Sequence, residues 1–442
     1  MTSPHAATPR MTSGGGWTAV IEGFYGEPYR HEDRLALLAW MPGAGFTDYA
    51  YGPKGDPYHR GTWRDPYPAD VLAQLQQTAV AARQAGIRLT LSVSPGLDWK
   101  GHEDHPALVS KLRQLHGLGV DSLGVYWDDV PPGGEDLGRS HGEGVAAAVR
   151  AFPADVRWMT CGTDYAMDAM TPYLTGFAQT LPAGLPIAWT GPDITSPVVT
   201  AELAAQLQEQ LQHPLLLCDN WPVNDLGMSG QLHLGPAPYR EPALRDVVAG
   251  IGFNAMALPL ASRLPLEIGA RHWHRPDEDR EAAWREVLAS HAGLTPLARA
   301  CRSWVDTPGP DPELATWVDE ALAGGDRLLD FLAAGCRSGL DSALAAEVAP
   351  WLDSWDAEAA VMVSSLLALR GELVDPEFNL GTDWLALHRR PAQVFGIRLA
   401  LYGLSFRLED RLLPDPASVV RGENLTDLLV RSGLEGLRRL TG

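Results

Sequence analysis

The sequence predicts a (β/α)8 TIM barrel followed by an all-α helical domain, and three observations carry that reading. Eight short runs rich in β-branched and aromatic residues lie between Thr18 and Leu260, helical patterns separate them, and polar residues gather where the runs end. Such a barrel takes about 250 residues, which is the stretch these runs occupy. A doubly wound open sheet is the runner-up, but no GxGxxG opens the first helix.

In chain order, strands are expected at 18–22, 48–52, 88–94, 122–128, 156–162, 186–190, 214–218 and 251–257. Amphipathic helices are expected at 31–41, 68–85, 106–118, 142–152, 173–181, 198–212 and 241–249. The strand ends read Glu22-Gly-Phe-Tyr-Gly26, Gly52-Pro-Lys54, Ser94-Pro-Gly96, Asp128-Asp129, Cys161-Gly-Thr-Asp-Tyr165, Thr190-Gly191, Asp219-Asn220 and Asn254. Barrels carry their chemistry on this carboxyl-end face, where the loops surround one mouth.

Past Arg271-His-Trp-His-Arg-Pro276 the strand pattern stops. Pro276-Asp-Glu-Asp suits a helix start, and Leu425, Leu428 and Leu429 followed by Leu434 and Leu437 keep helical spacing. The expected organisation is a disordered tail at 1–16, a catalytic barrel at 17–270 and a helical domain at 276–442.

Composition narrows the function classes. The 442 residues carry a net charge of −20 with no concentrated basic patch, which argues against a nucleic-acid partner. No apolar run approaches membrane-spanning length, and the first residues lack a secretion-signal pattern. Cys161, Cys218, Cys301 and Cys336 are widely spaced, so a reducing cytoplasm is the simplest location. No cofactor motif is found, and oligomeric state is left open.

The most informative segment is Ser122-Leu-Gly-Val-Tyr-Trp-Asp-Asp-Val130, an apolar strand that delivers two consecutive acids into a loop. Side chains alternate along a strand, so both carboxylates cannot face one core, and an unpaired buried charge is very costly. The pair has three readings: structural acids bound to loop amides, ligands of a divalent cation, or a divided acid and base. Tyr25, Tyr51, Tyr126, Trp127, Tyr165, Trp189 and Trp221 are expected to crowd the same rim, where apolar faces beside amides and acids suit a sugar ring. His102-Glu-Asp-His105 lacks HExxH spacing and reads as surface, with no metal site assigned. Cys161 reads as a small pocket-lining residue, since no histidine motif accompanies it.

With those blocks in hand, the chain resembles glycoside hydrolase family 84, the β-N-acetylglucosaminidases and O-GlcNAcases sometimes labelled hyaluronidases. The resemblance rests on Glu22-Gly-Phe-Tyr-Gly-Glu-Pro-Tyr29, Tyr51-Gly-Pro-Lys-Gly-Asp-Pro-Tyr-His-Arg60 with Trp63-Arg64, Ser92-Val-Ser-Pro-Gly96, Tyr126-Trp-Asp-Asp129, Trp189-Thr-Gly-Pro192 and Asp219-Asn-Trp-Pro-Val-Asn-Asp225. It implies an exo-acting, retaining enzyme that releases terminal β-linked GlcNAc from a glycan or glycoprotein, with the sugar's own 2-acetamido oxygen as nucleophile. By this resemblance Asp128 orients the acetamide and steadies its positive charge, while Asp129 is the general acid and then base, with a raised pKa. Tyr165 matches a tyrosine that contacts the acetamide. Gly23, Lys54, Asn220, Asp225 and Asn254 match groups that hold the sugar's hydroxyls or its acetamide, and Tyr25 joins them at the rim. The competing functions are a glycan-binding barrel without turnover and a metal-dependent barrel hydrolase.

The chain also departs from the family pattern. Cys218 stands where many relatives have a tryptophan walling the acetyl pocket, which implies a looser N-acyl site unless Trp221 or Met256 fills it. Gly55 replaces an acid after the lysine and Ala255 replaces a proline after the asparagine, and both are expected to loosen their loops.

Overall fold

Continuous apolar strands are stable when covered on both faces, and here the eight runs close into one parallel ring with helices around it. The computed structural model describes residues 16–304, 311–372, 392–395, 406–408, 412–414, 425, 426 and 429. The barrel strands are β1 (Trp17–Glu22), β2 (Asp48–Tyr51), β3 (Arg88–Val93), β4 (Ser122–Tyr126), β5 (Arg157–Cys161), β6 (Ile187–Trp189), β7 (Leu215–Asp219) and β8 (Gly250–Asn254). They follow one another in order, and β8 closes on β1 with Ile21 opposite Asn254. All eight expected strands are present.

The helices track the expected pattern with instructive shifts. Those at His31–Trp40, Ala69–Gln84, His105–His116 and Pro172–Thr180 fall where periodicity put them. The helix expected from 142 begins at Glu135 instead and runs to Arg150. Gly138, Gly142 and Gly144 argue against a helix by propensity, but here they serve packing. A Cβ on Gly138 would lie 2.0 Å from the Tyr173 carbonyl oxygen, and one on Gly142 would lie 2.0 Å from Thr180 Oγ1. Gly176 answers from the other helix, where a Cβ would lie 2.1 Å from the Glu135 carbonyl oxygen. The two helices approach too closely for side chains between them.

The segment expected as helix 198–212 opens with Val198–Val199, which pairs in parallel with Tyr239–Arg240. The helix proper is Ala201–Leu211, capped by the Thr200 hydroxyl. The expected helix at 241–249 shrinks to one turn, Leu244–Val247.

The chain divides into two compact units. The first holds the barrel: residues up to Asp225, Pro238–Ser262 and Leu266–Glu278. The second holds Leu226–Ala237, Arg263–Pro265 and the chain from Asp279 onward. Its helices include Arg280–Ser290, Pro312–Leu322, Arg327–Ala334 and Ala349–Leu369, with Trp284 and Trp355 fully buried. Asp279 caps the first of these, accepting from the Ala282 N–H at 2.8 Å. Phe406–Leu408 and Leu412–Pro414 add a two-stranded antiparallel ribbon. The tail expected at 1–16 lies outside the described residues except for Gly16, as do Leu428, Leu434 and Leu437.

Candidate active site

Two buried acids build the loops that carry the site. Glu22, at the end of β1, accepts from Arg34 Nε at 2.7 Å, Arg34 Nη2 at 2.8 Å, the Tyr29 N–H at 2.9 Å and the Tyr49 hydroxyl. A charge with that many donors is satisfied, and it fixes the 23–29 loop. Asp56 does the same after β2, accepting from the Tyr51 and Tyr67 hydroxyls at 2.8 and 2.9 Å and from the Tyr58 N–H at 2.9 Å. The two loops meet where the Lys54 N–H donates to the Phe24 carbonyl. Gly55 is required there, because a Cβ would stand 2.0 Å from the Gly26 carbonyl oxygen. Lys54, its side chain only 5% exposed, thereby comes to rest against Asp128.

The expected strand 122–128 ends at Tyr126, and the Trp127 N–H still reaches the Cys161 carbonyl at 2.9 Å. Asp128 and Asp129 thus enter the loop with different surroundings. Asp128 Oδ2 accepts from Lys54 Nζ, and its buried Oδ1 stands 4.0 Å from Arg60 Nη1. Burial opposes the charge on Asp128, but Lys54 and Arg60 together hold its carboxyl below the usual carboxylate range. Asp129 takes a left-handed backbone (φ 54°), a conformation aspartate tolerates better than most residues. Its Oδ2 accepts from the Tyr25 hydroxyl at 2.9 Å and its Oδ1 from the Tyr165 hydroxyl at 2.5 Å. Burial and the Asp129 charge push both phenols up, so both remain donors.

The remaining expected residues arrive from the other strand ends. The Tyr25 N–H donates to Asp225 Oδ2 at 2.7 Å, and burial raises the Asp225 carboxyl. Gly23 N–H donates to Asn254 Oδ1 at 3.2 Å, Asn254 Nδ2 to Asn220 Oδ1 at 3.0 Å, and Asn220 Nδ2 to the Ile194 carbonyl at 3.0 Å. This chain of amides ties the ends of β1, β7 and β8 together. Cys161 and Cys218, both half-buried, pack against a cluster of Trp17, Tyr126, Met159 and Leu216. Burial, with Asp128 nearby, pushes the Cys218 thiol up to about 12 and the Cys161 thiol well above its ordinary value, which leaves neither a nucleophile.

Four expectations need correction. Of the seven aromatic residues expected at the rim, only Tyr25 and Tyr165 are partly exposed, while Tyr51, Tyr126, Trp127, Trp189 and Trp221 are buried. Trp127 lies flat on His141 with ring centres 4.1 Å apart, and Trp221 packs edge-on to Phe253, so these rings support the site from behind. Gly55 tightens its loop, as the close approach to Gly26 requires. Ala255 tightens its loop too, since its N–H donates to the Ile21 carbonyl at 3.0 Å and a proline has no such donor. Within the 102–105 cluster Asp104 is buried, not surface, and it accepts from Arg64 Nη2 at 2.6 Å and the Lys100 N–H at 2.8 Å. Among the described residues no group of three or more His, Cys, Asp or Glu could hold a metal ion.

The geometry can be set beside known proteins. The β-N-acetylglucosaminidase family model matches residues 18–305, which is most of the chain. The chain belongs to the β-N-acetylglucosaminidase family. The Protein O-GlcNAcases of Rattus norvegicus and Mus musculus are each 27% identical to it over 251 residues, covering 53% of this chain. The chain spans only 27% of the length of those two relatives. Among solved structures, a mutant of Thermobaculum terrenum O-GlcNAc hydrolase is 26% identical with a TM-score of 0.77, over 96% of this chain and 94% of that one. CpGH84B is 24% identical with a TM-score of 0.75 over 94% of this chain and 76% of its own, and so shares the fold. The family 84 resemblance is borne out.

Two residues of this β-N-acetylglucosaminidase family member escaped sequence reasoning. Arg60 is buried and donates to the Asp128 and Asp129 carbonyls at 3.1 and 2.8 Å. His59 is fully buried beside Lys54, and desolvation with that ammonium lowers it to about 4, so its ring is neutral. Both lie in the block from Tyr51 to Arg60 that carried the resemblance, but their partners include backbone carbonyls, which no residue pattern announces.

Proposed function

We propose that the chain is a retaining exo-β-N-acetylglucosaminidase that hydrolyses terminal β-linked GlcNAc on a glycan or glycoprotein, with the substrate's acetamide as nucleophile. One observation carries this reading: two consecutive carboxylates stand in opposite settings, Asp128 on a cationic wall and Asp129 under two phenols. A substrate-assisted reaction needs this division of labour, because one acid must stay ionised while its neighbour exchanges a proton.

Asp128 accepts the acetamide N–H, since Lys54 uses only part of an ionised carboxylate's acceptor capacity. The acetamide oxygen then attacks C1 while the bond from C1 to the leaving oxygen breaks. Asp129 gives that oxygen its proton, and Asp128 steadies the positive charge on the oxazoline ring. Water next attacks C1 from the face the leaving group vacated, Asp129 takes its proton, and the bond from C1 to the acyl oxygen breaks. Two inversions give net retention.

Tyr165 holds Asp129 and contacts the acetamide; Asp225, Asn220 and Asn254 hold ring hydroxyls. Cys161 and Cys218 form a small, soft acyl floor, which favours tolerance of N-propionyl and N-glycolyl sugars. The four cysteines are free, and among the described residues no helix is long and apolar enough to cross a membrane; both suit a cytoplasmic setting.

The test is turnover of a β-N-acetylglucosaminide with a poorly acidic alkyl aglycone by the full chain, beside the Asp129→Asn variant. Turnover by the parent and a loss of about 1000-fold in the variant are expected for a general acid and base. Tight sugar binding without turnover would replace the enzyme by a glycan-binding barrel, and activity abolished by a chelator would point to a metal-dependent hydrolase.

A further inference from the structure

Arg60 belongs to no sugar contact in the reading above, yet it sits at the point where three strand ends meet. Its Nη1 donates to Ser94 Oγ at 3.0 Å, beyond β3, and to the Asp128 carbonyl at 3.1 Å, beyond β4; its Nη2 donates to the Asp129 carbonyl at 2.8 Å. The segment that carries it is tied to the same place, because the Ser94 N–H donates to the His59 carbonyl at 2.8 Å. The guanidinium therefore grips the peptide that joins the two acids and the peptide that follows it.

Grip matters here for a specific reason. Asp129 stands at φ 54°, a left-handed conformation that is unfavourable for an L-residue and persists only where the surroundings hold it. That conformation turns its carboxylate toward Tyr25 and Tyr165 while Asp128 stays against Lys54. Without it, side chains of adjacent residues would not present two carboxylates to one reacting sugar in these separate settings. Arg60 also places a cation 4.0 Å from Asp128 Oδ1, a buried oxygen with no hydrogen-bond partner among the described residues.

We propose that Arg60 is a positioning residue for this reaction: its planar fork clamps the carbonyls of Asp128 and Asp129 and holds the left-handed turn that aims the two carboxylates. The inference rests on the proposed glycosidase reading. A lysine in its place keeps the charge but lacks the rigid fork that reaches two carbonyls and a hydroxyl together.

The experiment uses the full chain and a β-N-acetylglucosaminide with a poorly acidic alkyl aglycone, with Arg60→Lys, Arg60→Ala, Asp129→Asn and the double variant Arg60→Ala with Asp129→Asn. Arg60→Lys is expected to melt within a few degrees of the parent and to lose about 100-fold in kcat, the size of effect that a misplacement of about 1 Å produces, with KM changed far less. Guanidinium added to Arg60→Ala is expected to restore activity where methylammonium does not, and the loss in the double variant is expected to fall well short of the product of the two single losses. Full additivity in the double variant, or activity in Arg60→Lys within threefold of the parent, would overturn the proposal. So would unfolding of Arg60→Lys, which would assign Arg60 to stability. If instead the parent does not turn over the substrate, the glycosidase reading has failed and not the role of Arg60.

Discussion

The cationic wall and the phenolic wall of the site are one residue apart in sequence and opposite in effect. On the first, Lys54, Arg60 and neutral His59 surround Asp128, whose side chain is 19% exposed. On the second, Tyr25 and Tyr165 donate to Asp129, whose side chain is 29% exposed. Cations fix a charge, whereas phenols follow a proton that comes and goes. The lesson is that two acids of identical chemistry can be given different hydrogen-bond partners one residue apart, with a single left-handed residue between them, although Lys54 Nζ still lies 4.0 Å from Asp129 Oδ2.

The sharpest way to break the comparison is the leaving group. For a substrate with a poorly acidic alkyl aglycone, Asp129→Asn is expected to lower kcat/KM by about 1000-fold, as loss of a general acid does. With a strongly acidic aryl leaving group that needs no proton, the same variant is expected to lose much less. Asp128→Asn is expected to lose alike on both substrates, because orienting the acetamide does not depend on the departing alcohol. Equal leaving-group dependence in the two variants would erase the distinction between the walls.

A smaller effect tests the cationic wall alone. Burial opposes ionisation of Asp128, and Lys54 with Arg60 more than offsets it, so the parent is expected to keep an ionised Asp128 well into the acid range. Removing the ammonium in Lys54→Gln leaves burial in command. The acid limb of kcat/KM is then expected to move to higher pH by about 1–2 units, a shift of the size that one close opposite charge produces. An unmoved limb would mean that Lys54 does not hold that charge.

How much of this was legible beforehand follows from what the residues interact with. The eight strands were readable because parallel barrel strands are covered on both faces and so are rich in apolar and β-branched residues. The start of the helix at Glu135 was hidden, since Gly138 and Gly142 look like breakers until the facing helix is known. The Asp pair, Lys54, Tyr165 and the amides were readable as a set because each lies at a strand end. What could not be read was depth: Trp127 and Trp189 look like sugar platforms and are core. Nor could Arg60 be read, since two of its three hydrogen bonds run to backbone carbonyls, which no residue type marks.

The smallest expected effect concerns the buried histidines behind the two walls. Desolvation lowers His59 to about 4 and His141 to about 3, from an ordinary value of 6.5. Their unfolded forms bind protons first, so the stability that the neutral rings allow is fully present above pH 6.5 and is lost as the pH falls toward 4. Between pH 7 and pH 5 each histidine is expected to remove roughly 2 kcal/mol of unfolding free energy. Urea unfolding at the two pH values checks this, and equal stabilities would contradict the neutral assignment.

The most direct test of the central claim is kcat/KM for a series of substrates whose acetyl group carries no, one, two or three fluorine atoms. Fluorine withdraws electron density from the acetamide oxygen, so if that oxygen attacks C1 the rate must fall steeply with each atom added. A flat series in the parent enzyme would mean that the protein supplies the nucleophile, and the division of labour between Asp128 and Asp129 would have to be abandoned.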